Sequence, residues 1–162
     1  MVAAEIVAEL TRRGLTIAVA ESLTGGLLVA EFIAVPGASA VVRGGVVAYN
    51  TALKHSLLGV DAGLLAEHGA VHPDVAAGMA EGVRLVTAVD GVAADIGLST
   101  TGVAGPEPQD GHPVGTVYIA VATRQGTSVR AFALAGSRED IRRQVVSESL
   151  RQLRELLTEF DS

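Results

Sequence analysis

The stretch from Leu15 to Val35 constrains the fold more than any other. Leu15 to Ala20 is a short apolar run, Glu21 to Gly26 (ESLTGG) follows as a turn, and LLVAEFIAV then continues to Pro36 and Gly37. A short apolar run bounded by turn residues suits a buried strand, and the apolar segment after the glycines suits a helix. A strand that passes through a tight turn into a helix points to layered α/β architecture, in which the helix covers one face of the sheet.

The rest of the chain repeats that grammar. Val2 to Arg13 has apolar residues at Val2, Ile6, Val7 and Leu10 and ends at Gly14, the pattern of an amphipathic helix. Gly44 to Asn50 reads as a second strand with Tyr49 near its end, followed by a short helix over Ala52 to Leu58 that carries Lys54, and another over Leu64 to His68. His72, Pro73 and Asp74 open a longer helix with Val75, Met79, Val83 and Val86 on its apolar face, proline being well placed in a first helical turn. Val92 to Ser99 is expected as a strand, and Thr100 to Pro106 as a second glycine-bearing turn. Glu107 to His112 is expected as a mobile loop.

Val114 to Thr123 is nearly continuous apolar sequence, as in a strand buried on both faces, and Gln125 and Gly126 turn it into Ser128 to Leu134 as an antiparallel hairpin. Ser137, with Asp140 three residues on, starts a long helix striped by Ile141, Val145, Val146, Leu150, Leu153, Leu157 and Phe160. The expectation is a single domain over residues 1–162: a three-layer α/β/α fold with a mixed sheet, a late antiparallel hairpin and a long C-terminal helix. Aromatic residues make up only 3% of the chain, so its core has to be packed from Ala, Val, Leu and Ile.

Charge narrows the function. The net charge is −6 and the basic residues are scattered, which argues against nucleic acid or an acidic membrane as partner. No apolar run is long enough to span a bilayer, and the N-terminal segment carries acids where a signal peptide carries bases, so a cytoplasmic location is expected. Without cysteine, covalent chemistry must use an oxygen or a lysine. Of the 12 basic residues only Lys54 is a lysine, and only lysine becomes a neutral base on burial.

Ser22 follows the first strand, in a turn whose backbone amides, from Thr24 through Gly25 and Gly26, open a helix. Such amides attract an anion, whether a phosphate or a developing oxyanion. The plainer alternative is that Ser22 or Thr24 only caps the helix. Serine needs a base, and no histidine has a neighbourhood that marks it for the task, which leaves Lys54, with Tyr49 as relay or support. The alternative there is a surface lysine beside a core tyrosine. His68 and His72 stand four apart, but Gly69 and Pro73 interrupt any shared helix face, so no metal site is expected. Arg142 falls near the start of the last helix, where the dipole disfavours a cation unless an anion is bound. Alternatively Arg138, Arg142 and Arg143 pair with Glu139 and Asp140 at the surface. Ser99, Thr100 and Thr101 place hydroxyls beside the second turn, to contact substrate or to close it.

Six segments in series resemble the CinA C-terminal domain family, which includes the stand-alone nicotinamide-mononucleotide amidohydrolases. They are AESLTGG at Ala20, GGVVAYNTALK ending at Lys54, LAEHGAVHPDV at Leu65, STTGVAGP at Ser99, HPVGTVYIAVAT at His112 and SREDIRRQ at Ser137. The resemblance implies hydrolysis of the carboxamide of nicotinamide mononucleotide by a serine, tyrosine and lysine set falling on Ser22, Tyr49 and Lys54. Thr101 and Arg142 would be substrate contacts, as would the turn at Thr24, Gly25 and Gly26. It also implies a homodimer that uses neither metal nor cofactor. Leu23 stands where the family usually has cysteine. The rival expectation is a non-catalytic nucleotide-binding module, or a regulatory module linked to competence or DNA damage.

Overall fold

A computed structural model of the chain describes residues 1–159, so the expected place of Phe160 on the last helix lies outside the described residues. Five strands form one sheet: β1 (Ile17–Glu21), β2 (Val42–Val47), β3 (Ile96–Gly102), β4 (Thr116–Thr123) and β5 (Gly126–Ala133), in the order β2-β1-β3-β4-β5. β1 runs parallel to both β2 and β3, whereas β4 and β5 are antiparallel, so the sheet is mixed and ends in the expected hairpin.

Helices α1 (Val2–Arg13), α2 (Leu27–Ile33) and α6 (Arg138–Glu159) cover one face, and α5 (Pro73–Val86) the other, joined by α3 (Thr51–Ser56) and α4 (Ala62–His68). The two-residue period of β1 divides its side chains accordingly. Ile17 and Val19 pack with Ile6, Leu10, Leu28, Phe32 and Leu153, while Ala18 and Ala20 pack with Val75, Met79 and Val83. Where α5 crosses β4 the contact is made of small residues, Ala76 and Ala80 against Ala120 and Ala122. A side chain at Gly97 would place its Cβ 1.9 Å from Ala80 O, which is why the helix sits so close to the sheet. The scarcity of aromatic residues thus has a structural counterpart in one thick apolar layer and one thin one.

Several boundaries move from those expected. β3 starts at Ile96 rather than Val92, which pairs instead with Val89 in a tight turn. It also runs on through Thr100 and Thr101, expected in the turn, because those residues pair with Ile119 and Tyr118 of β4. β2 ends at Val47, since Asn50 has left the strand to cap α3, its side chain accepting from Ala52 N at 2.9 Å. The expected mobile loop is anchored: Gln109 bridges to His112, and Asp110 Oδ2 accepts from Ala70 N at 3.4 Å. The last helix starts as expected, with Asp140 N donating to Ser137 Oγ at 3.1 Å and Ser137 N donating to Asp140 Oδ2 at 2.9 Å. Among the described residues no helix is long and apolar enough to cross a membrane.

The connection from β1 to β2 runs through α2 on one face, and the return from β2 to β3 runs through α5 on the other. The chain therefore leaves and re-enters the neighbourhood of β1 on opposite sides, which opens a crevice at the carboxyl ends of the parallel strands. In open α/β sheets that crevice is where ligands bind.

Candidate active site

At that crevice the structure forms a cavity of about 560 Å³, within the size range of small-molecule sites. Ser22 and Leu23 enter it from the end of β1, Tyr49, Asn50, Thr51 and Lys54 from β2 and α3, and Thr101 to Gln109 from β3 and the loop after it. Arg138, the first residue of α6, completes the wall.

Lys54 is wholly buried. Its Nζ lies 2.9 Å from Ser22 Oγ, 2.6 Å from Ala48 O and 3.4 Å from Tyr49 O. An ammonium has three protons for these three acceptors. A neutral amine has two, enough for the two carbonyls, and a lone pair left for the serine hydroxyl. Burial favours the neutral form and pulls the lysine down from 10.5 to about 8. A serine hydroxyl facing a partly neutral amine is a nucleophile with its base in place.

The turn that carries Ser22 is fixed from several sides. Ser22 N donates to Thr100 O at 3.1 Å, and the Thr24 and Thr100 hydroxyls share a hydrogen bond of 2.8 Å. Gly25 and Gly26 have φ of 58° and 103°, conformations that favour glycine and that let the chain double back into α2. The Glu21 carboxylate, almost completely buried, accepts from Leu28 N at 2.9 Å and Val29 N at 3.1 Å and so caps α2. Those two amides are committed. Among the described residues the amides of Leu23 and Thr24, immediately after Ser22, have no acceptor.

Other expected site residues are distributed unevenly. Thr101 lines the cavity and its hydroxyl donates to Ala70 O at 2.7 Å, while Ser99 donates to Ala76 O at 2.6 Å, behind the site. Tyr49 lines the cavity, but its side chain is 61% exposed and its hydroxyl meets Arg138 Nη2 at 3.0 Å rather than Ser22 or Lys54. The relay suggested for Tyr49 is therefore corrected: the lysine reaches the serine directly, and the tyrosine contributes its carbonyl to Lys54. Arg142 is also corrected. It lies behind the turn, with Nε donating to Leu23 O at 2.8 Å and Nη2 to Thr24 O at 3.3 Å, and neither it nor Thr24, Gly25 or Gly26 lines the cavity. His68 and His72 stack ring on ring at 4.4 Å, and His72 Nδ1 accepts from Asp74 N as the cap of α5.

The arginine that does face the cavity is Arg138. It does not pair with the acids beside it, since Asp140 caps its own helix and Glu139 binds Arg143. Instead Arg138 donates to Gly105 O at 2.5 Å and meets Tyr49 Oη. The signal that could have found it was the argument applied to Arg142, a cation at a helix N-terminus, which holds more strongly at the first residue of α6.

The chain matches the CinA C-terminal domain over residues 1–157. It belongs to that family. It is 51% identical over 148 residues to a CinA-like protein of Frankia casuarinae, an alignment covering 91% of this chain and 33% of the relative. The chain thus spans about a third of the length of the curated relatives it matches. Among solved structures it resembles a competence-damaged protein (CinA) superfamily protein from Klebsiella pneumoniae, with TM-score 0.91, 31% identity and coverage of 98% of this chain and 96% of the other. It is similar also to the competence/damage inducible protein CihA from Agrobacterium tumefaciens, with TM-score 0.88, 33% identity and coverage of 96% and 93%. The mixed sheet and long C-terminal helix are those of this superfamily.

Proposed function

We propose that this CinA-family domain hydrolyses the carboxamide of nicotinamide mononucleotide to nicotinic acid mononucleotide and ammonia, with Ser22 as nucleophile and Lys54 as general base. The observation that carries the reading is the 2.9 Å approach of Lys54 Nζ to Ser22 Oγ inside a buried, cavity-facing pair. The choice of substrate rests on the likeness of the motifs to the nicotinamide-mononucleotide amidohydrolases. It is supported by a cavity of suitable volume with an arginine on its wall for a phosphate.

In this mechanism neutral Lys54 takes the Ser22 proton as Oγ bonds to the amide carbon. The carbonyl oxygen becomes an oxyanion, for which the Leu23 amide, next to Ser22 on the cavity wall, is an uncommitted backbone donor. The Lys54 ammonium then protonates the nitrogen, the C–N bond breaks, ammonia leaves and an acyl-serine ester remains. Water attacks the ester and gives a proton to Lys54. Collapse releases the acid as Ser22 Oγ recovers its proton, so one amide and one water become one carboxylate and one ammonium.

Ammonia release from nicotinamide mononucleotide tests this directly. Ser22→Ala and Lys54→Met are each expected to lower kcat by about a thousandfold or more, since nucleophile and base act as a unit. A nucleotide-binding module without turnover would bind the nucleotide and gain nothing from a buried lysine. Wild-type protein that binds nicotinamide mononucleotide yet releases no ammonia overturns the amidase reading.

A further inference from the structure

Glu107 is not used by the mechanism above. It is the one carboxylate among the described residues that line the cavity, and it forms no ion pair there. Neither cation of the wall pairs with it: Lys54 is bonded to Ser22 Oγ and two backbone carbonyls, and Arg138 to Gly105 O and Tyr49 Oη. The Glu107 backbone is held on both sides, because Pro106 and Pro108 each fix φ. Gly105, at the root of the segment, is gripped by Arg138. The loop also closes on itself through Gln109 and His112 and reaches the α4–α5 junction through Asp110. A restrained, unpaired carboxylate on the wall of a cavity is a preorganised partner for a cationic group.

We propose that Glu107 is a specificity-determining residue that reads the positive charge of a pyridinium ring, so that the cavity favours the oxidised, cationic nicotinamide ring over a neutral dihydropyridine of nearly the same shape. The proposal deepens the amidase reading and rests on it for the identity of the ligand. Two ends of the ligand have their own partners, the carboxamide at Ser22 and Lys54 and the phosphate at Arg138. The ribose hydroxyls and the ring charge remain, and of these only the charge calls for a group of opposite sign, which Glu107 supplies. Tyr49 adds an exposed aromatic ring to the same wall, a second kind of surface that attracts cations. Because Glu107 is exposed, salt should weaken its effect.

The test compares nicotinamide mononucleotide with dihydronicotinamide mononucleotide. The two amides differ in intrinsic reactivity, so the quantity to read is how Glu107→Gln changes the ratio of their kcat/KM values, not the ratio itself. That ratio is expected to fall by about five- to tenfold at low salt, and by less at 0.5 M salt. Calorimetric Kd values for the same two nucleotides on Ser22→Ala and on Ser22→Ala with Glu107→Gln should move in the same proportion. An unchanged ratio overturns the assignment, as does an equal gain with both nucleotides, which would mean that Glu107 acts only against the phosphate. Failure of wild type to release ammonia while the Kd ratio still shifts would sink the amidase reading and leave the charge recognition standing.

Discussion

Lys54 Nζ stands 2.9 Å from Ser22 Oγ and 2.6 Å from Ala48 O, so the serine and a strand-end carbonyl compete for the protons of one buried amine. Only the neutral lysine can accept the serine proton, and burial sets its titration near 8. Log kcat/KM for ammonia release should therefore rise with a slope of one below that pH and level off above it. A profile flat from pH 6 to pH 9 would show that Lys54 is not the base.

The same titration leaves a mark on stability. Lys54 is depressed from 10.5 to about 8 on folding, so between those values the unfolded chain holds a proton that the folded chain has lost. Stability rises with pH wherever the unfolded state binds more protons. The full penalty is thus present below about pH 8 and disappears as pH climbs toward 10.5, a change of about 3 kcal/mol. Denaturant titration of wild type and Lys54→Met should show the wild type gaining on the variant by about that amount across this window. A stability difference that does not vary with pH would mean that the lysine stays charged in the fold.

Arg138 and Tyr49 should behave as a binding pair, since Arg138 Nη2 and Tyr49 Oη are 3.0 Å apart at the cavity wall and Tyr49 Oη makes no contact with Ser22. Arg138→Gln is expected to raise KM for nicotinamide mononucleotide by about tenfold or more, with little change for nicotinamide riboside, which lacks the phosphate. Tyr49→Phe should alter KM a few-fold and leave kcat within about threefold. A thousandfold fall in kcat for Tyr49→Phe would restore a proton relay through the tyrosine.

Much of this site was legible in the sequence because its parts lie where local rules act. Strand, glycine turn and helix around Ser22 follow from residue type alone, and the solitary lysine marked Lys54 before any distance was known. Tyr49 and Arg142 show where such reading ends. A sequence places both near the crevice but does not say which way a side chain turns. Tyr49, just past the end of β2, turns outward to Arg138, and Arg142, one helical turn beyond Arg138, is directed to the back of the loop. The length of β3 was hidden for a related reason: Thr100 and Thr101 read as turn residues until β4 is there to pair with them.

Arg142 offers the sharpest contrast with Arg138. Its guanidinium donates to Leu23 O and Thr24 O, the carbonyls of the residues whose amides follow Ser22, and one of its nitrogens would lie 3.4 Å from a Cβ at Gly25. It acts on the reaction through the turn, as a positioning residue. Arg142→Leu removes two charge-assisted bonds to carbonyls and should cost about 1 to 3 kcal/mol of stability. The loosened turn should lower kcat by about tenfold, because small displacements of a nucleophile are expensive. Its effect on KM should be the same for nicotinamide mononucleotide and nicotinamide riboside, unlike that of Arg138→Gln. A KM penalty confined to the phosphorylated substrate would instead place Arg142 in direct contact with phosphate.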